Sequence, residues 1–88
     1  DHHETADEYG RVIARLSDGW RVIVCKDAHQ WILQRRDKTP AGGRWRAVRF
    51  HRTRDAMIRS AASLCGPVDP AALAILAALP PHFVRGRR

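Results

Sequence analysis

The hydrophobic period of the chain changes once, at Thr53, and that change limits the folds open to it. Before Thr53, β-branched and aromatic residues fall in three short runs of strand length, Trp20 to Lys26, Trp31 to Arg36 and Arg44 to Phe50. Ser17-Asp18-Gly19 makes a turn ahead of the first run, Asp27 to Gln30 a tight connection after it, and Asp37 to Gly43 a looser hairpin loop with Pro40. Strands joined so closely can pair only as an antiparallel meander. After Thr53, Met57, Ile58, Ala61, Ala62, Leu64 and Cys65 recur at helical spacing. Thr53 is placed as N-cap, Asp55 suits the positive end of the helix dipole, and Gly66-Pro67 stops the helix. Asp69-Pro70 then opens a second helix over 71–79, closed by Pro80-Pro81.

With 88 residues there is room for one domain. The expected division is a flexible, acidic and His-bearing leader over 1–8, a single α+β domain over 9–84, and a basic tail over 85–88, with Phe83 docking. Within 9–16, Val12, Ile13 and Leu16 suit a short helix, although Gly10 speaks against it and a strand is the alternative. The fold expected is thus α+β: a three-stranded antiparallel meander packed against one or two C-terminal helices, with a short N-terminal helix. The second helix is apolar nearly all round, so it is either core or, through Leu73, Leu76 and Leu79, a protein interface or homodimer contact.

A three-stranded sheet needs one covered face. If Val22, Val24, Trp31, Leu33, Trp45 and Ala47 face the helices, alternation sends Arg21, Gln34, Arg36, Arg44 and Arg46 to the other side. Arg49 joins them as a candidate contact. Val48 and Phe50 lie on the opposite parity, and a bulge near Ala47 would reconcile the third strand.

Charge directs the choice of partner. Lys plus Arg number 16 against 9 acidic residues, a net +7, and only Lys26 and Lys38 are lysines. Guanidinium groups match phosphates and guanine edges. The expected partner is therefore nucleic acid, with duplex DNA favoured, or an acidic protein surface.

Trp31-Ile32-Leu33-Gln34-Arg35-Arg36-Asp37, a Gly-containing loop, Gly43 to Phe50, and Thr53 opening an Ala-rich helix together resemble the plant ethylene-response-factor DNA-binding domain. The related arm-binding domains of phage-type integrases share that three-strands-plus-helix plan. The resemblance covers roughly residues 20 to 65 and implies that Gln34, Arg36, Arg44 and Arg46 occupy groove-facing positions. The chain departs from the family in its first strand, where Arg21 is the sole candidate, and in its added C-terminal helix. The whole chain is also similar to short proteins of bacterial plasmids and integrated elements. That likeness rests on Trp20 to Ile23, Gln30 to Arg36, and Asp69 to Ala72 with Leu76 to Pro80. It implies a mobile-element role: DNA binding, transcriptional control, or inhibition of a host defence complex in the manner of anti-CRISPR proteins or antiactivators.

Nothing in the sequence carries enzymatic chemistry. There is no Gly-rich phosphate loop, no His-Glu-x-x-His and no Gly-x-Ser-x-Gly. His29, His51, His82, Cys25 and Cys65 lack metal-ligand spacing, so neither metal nor cofactor is expected. His51 and Asp55 come close at the helix start, but no nucleophile accompanies them. Cys25 and Cys65 form no CxxC pair and read as two buried thiols in a reducing compartment. No apolar run reaches membrane-spanning length and no signal-peptide pattern opens the chain, so a cytoplasmic protein without membrane contact is expected.

Overall fold

The computed structural model describes residues 3–37 and 43–85. The hairpin loop expected around Pro40, the first two residues of the leader and the last three of the tail lie outside the described residues. The elements run β1 (Val12–Ser17), β2 (Trp20–Val24), β3 (Trp31–Asp37), β4 (Arg44–His51), α1 (Arg54–Leu64) and α2 (Pro70–Ala77). The strands form one antiparallel sheet in the order β1-β2-β3-β4.

The sheet thus has four strands where three were expected, because residues 12–17 are a strand and not a helix. The helical spacing of Val12, Ile13 and Leu16 has a simple origin. β1 is irregular against β2 between Val12 and Ala14 and again between Arg15 and Ser17. Each bulge inserts a residue and breaks the two-residue period that would have marked a strand. The Ser17-Asp18-Gly19 turn then folds β1 back on β2, where its backbone groups are paired.

Both helices start and stop as their residues dictate. The Thr53 hydroxyl accepts from the Ala56 amide at 3.4 Å, and the Asp69 carboxylate accepts from the Ala71 amide at 3.1 Å. Cys65 caps α1, and Gly66 follows with φ +66°, the left-handed turn that a glycine adopts without a Cβ clash. α2 ends at Ala77, short of the expected Leu79, and the Ala78 amide closes its last turn.

α1 packs over β3 and β4, and α2 over β1. Between helices and sheet lies the main core, in which Leu16, Val22, Trp31 and Leu33 meet Met57, Ala61, Cys65, Ala72 and Leu76. The opposite face carries a second, smaller core of Tyr9, Ile23, Cys25 and Ile32. Both cysteines are buried and free. Phe83 sets its ring edge-on to Trp31 at 5.1 Å, its amide donates to the Arg52 carbonyl, and His82 bridges to Thr53. None of the described helices is long and apolar enough to cross a membrane.

α2 divides the residues expected to act together as an interface. Leu76 is fully buried and Leu79 packs against the core, while Leu73 stays 43% exposed. Leu76→Ala should therefore cost about 2–5 kcal/mol of stability, whereas Leu73→Ala should change it by about 0.5 kcal/mol at most. Urea unfolding midpoints of the two variants measure the contrast.

Candidate functional site

The sheet face opposite the helices was expected to be an open arginine surface, and its centre, at Arg21, Gln34 and Trp45, is covered. Residues 3–9 lie across it and bind it through their own backbone. Arg21 is 0% exposed. Its Nε donates to Gln34 Oε1 at 2.7 Å, its Nη2 to the carbonyls of Glu4 and Ala6 at 2.9 Å each, and its Nη1 to the Asp7 carbonyl at 3.2 Å. Gln34, 1% exposed, donates from Nε2 to the Glu4 carbonyl at 3.0 Å. The Trp45 amide donates to the Thr5 carbonyl and its indole Nε1 to Asp7 Oδ1, both at 3.0 Å. Glu4 Oε2 accepts from the Lys26 amide, and the Tyr9 hydroxyl donates to the Val24 carbonyl at 2.9 Å. The leader expected to be loose is thus tied to all four strands, Arg15 of β1 also donating to the Asp7 carbonyl, and Arg21 and Gln34 are interior residues with no surface for a partner.

Trp45 is the second correction. The expected register turned it toward the helices and sent Arg44 and Arg46 away from them. In the sheet Trp45 pairs with Arg36, and it lies on the leader side, 1% exposed. The guanidinium of Arg21 stacks over its ring at 4.3 Å, with those of Arg36 and Arg15 at 5.8 and 6.0 Å. A bulge does occur beside Ala47: Gln34 pairs with Ala47 but Leu33 with Arg49, so Val48 is the extra residue. It brings Trp45, Ala47 and Phe50 onto the leader side. Asp7 is the carboxylate in this group, 3.9 Å from both Arg15 and Arg36. The hydrogen bond from Trp45 holds its carboxyl below the usual range; burial opposes it, and Arg36, Arg15 and Arg21 each add a weaker lowering.

The consequence is that Arg44, Arg46 and Arg49 share the helix side of β4 with Arg35 of β3. All four are exposed, because α1 leaves this margin of the sheet uncovered. Arg46 pairs with Asp37. Arg49 Nη1 donates to the Val48 carbonyl at 2.9 Å. Among the described residues, Arg35, Arg44, Arg49, Arg52 and Arg59 have no carboxylate partner.

Sequence reasoning missed the contribution of α1 to this margin. The turn from His51 to Thr53 is so short that α1 must fold back beside β4, and it brings Arg59, Ser60 and Ser63 next to Arg49 and His51. These residues, with Ala56 and Leu64, line a cleft of about 300 Å³. The short link and the helical spacing of 56, 59, 60 and 63 were the available signal. His51 does not meet Asp55 as expected. Its Nε2 shares a hydrogen bond with Ser60 Oγ at 2.7 Å, while Asp55 accepts from Arg54 at 3.2 Å. Burial pushes the His51 ring below the ordinary histidine value, and Arg49 and Arg59 push in the same direction. Among the described residues no group of three His, Cys, Asp or Glu side chains is placed to hold a metal ion.

Comparison with protein-family models, with curated proteins and with solved structures finds no match to this chain.

Two outcomes follow. Arg21→Ala would remove the fork that ties the Glu4, Ala6 and Asp7 carbonyls to the sheet and leave the buried Gln34 amide oxygen without its donor, and should cost about 3 kcal/mol in urea unfolding. Arg21→Lys should also be clearly destabilised, since an ammonium cannot reproduce the fork or the stacking on Trp45. For His51, a lowered folded value means that the unfolded chain binds more protons than the native one between that value and the ordinary 6.5. Stability should therefore rise as pH increases through this window and fall on acidification. In Arg59→Gln an NMR titration should find the His51 value moved back up toward 6.5.

Proposed function

We propose that this protein is a small nucleic-acid-binding module, with duplex DNA as the favoured target, that engages phosphates through the helix side of β4 and the flank of α1. The observation that carries this reading is the run of arginines without carboxylate partners among the described residues, Arg44, Arg49 and Arg59 with Arg35 and Arg52 beside them. Exposed guanidinium groups held close together repel one another, and a polyanion relieves that repulsion while releasing its own counterions. Along β4, Arg44 and Arg49 are separated by about 15 Å, comparable to the roughly 12 Å width of the major groove. Arg21 and Gln34 have no part in this reading, since the leader covers them.

A second reading, a protein inhibitor that docks on an acidic partner surface, draws on a specific feature of the same strand. Phe50 is 56% exposed on the leader side of β4, the free edge strand of the sheet, with Arg49 on the other side of the strand. An exposed aromatic side chain on an unpaired edge, with arginine at the same edge, is the composition of a protein interface core.

Fluorescence anisotropy with a short duplex tests the first reading. With about four phosphates neutralised, affinity should fall about a hundredfold between 50 and 200 mM salt. Arg44→Gln and Arg49→Gln should each weaken binding, while Arg36→Gln, on the leader side, should leave it nearly unchanged. Absence of duplex binding at 50 mM salt overturns the reading. Retention of an acidic peptide under those conditions selects the inhibitor.

A further inference from the structure

We infer that the cleft between the end of β4 and α1 is a binding site for a phosphate group. Its lining joins two guanidinium groups, Arg49 and Arg59, two hydroxyls, Ser60 and Ser63, and the His51 ring, and among the described residues it includes no carboxylate. The α1 residues come from one stripe of the helix, at positions 56, 59, 60 and 63, so their side chains face β4 together. Ala56 contributes only a methyl group on that stripe, which leaves space that a longer side chain would fill. The space of about 300 Å³ holds a phosphate readily.

Among the described residues no carboxylate neutralises the cations of the cleft. The nearest acidic residue in sequence, Asp55, is engaged by Arg54 and lies outside the lining. Arg49 reaches only the carbonyl of its neighbour Val48, and Arg59 has no hydrogen-bond or ion-pair partner among the described residues. Guanidinium forks, hydroxyl donors and an imidazole are the donor set that an oxyanion with several acceptor oxygens takes. A divalent cation would be repelled, and with only Ala56 and Leu64 as apolar lining an apolar ligand would bury little surface.

The inference deepens the nucleic-acid reading and in part rests on it, because a backbone phosphodiester would make this cleft one contact of the duplex interface. A free phosphomonoester is the other source of the same chemistry. Two-dimensional NMR of the full chain separates them, with inorganic phosphate as one probe and a 12-base-pair duplex as the other, each against chloride at matched ionic strength. Resonances of His51, Ser60 and Ser63 should move with at least one probe and stay still with chloride. Arg49→Gln and Arg59→Gln, both surface changes that leave the core intact, should each weaken the effective probe about tenfold. If duplex binds yet neither probe moves these three residues, the cleft is overturned as a phosphate site while the nucleic-acid reading stands. If duplex fails to bind but phosphate moves them and the variants weaken it, the nucleic-acid reading falls and the cleft stands as a site for free phosphomonoesters.

Discussion

The Arg21 guanidinium sets the arrangement of the whole sheet. It sits at the centre of the sheet with no exposed surface, and a buried cation is tolerated only when its donors are used. Four hydrogen bonds to Gln34 and to the Glu4, Ala6 and Asp7 carbonyls, with stacking on Trp45, meet that requirement. Burial, with Arg15 adding to it, brings its pKa down to about 10, which still leaves it charged at neutral pH. Because three of its acceptors are backbone carbonyls of the leader, the charge can be accommodated only with residues 4–7 in place. The segment continues into Tyr9, which is itself part of the smaller core with Ile23, Cys25 and Ile32. One buried cation thus makes the N-terminal segment part of the fold.

The same requirement sorts the remaining arginines. Arg15 and Arg36 crowd Trp45 on the leader side and share Asp7. Among the described residues, the arginines on the helix side of β3 and β4 find one carboxylate, Asp37, which Arg46 takes. Five of the arginines that lack a carboxylate partner among the described residues, Arg35, Arg44, Arg49, Arg52 and Arg59, therefore lie along β4, its neighbour β3 and the flank of α1. The open face expected from strand alternation and the basic surface of the folded protein are on opposite sides of one sheet.

Much of the architecture was legible because it depends on local chemistry. Thr53 and Asp69 cap where their side chains allow, Gly66 and Pro70 mark a helix end and a helix start, and β2, β3 and β4 follow their β-branched and aromatic runs. β1 was harder to see because its bulges imitate a helical period. The orientation of β4 was ambiguous for a related reason. Trp45 with Ala47, and Val48 with Phe50, offer two parities, and a single bulge at Val48 decides which side chains meet the helices. Alternation also assumes one apolar face, whereas this sheet has a core on each.

By itself the sequence determined the α+β class, the antiparallel meander, both helices and their caps, and an excess of arginine. These follow from spacing, backbone preference and composition, each fixed within a few residues. Tertiary structure alone decided which arginines are interior and which meet solvent. That outcome depends on contacts between Arg21 and carbonyls 14 to 17 residues away, on the partner that Asp7 finds, and on the return of α1 beside β4. A cation at a sheet position is attractive to either water or a ring of carbonyls, and only the assembled chain presents the second choice.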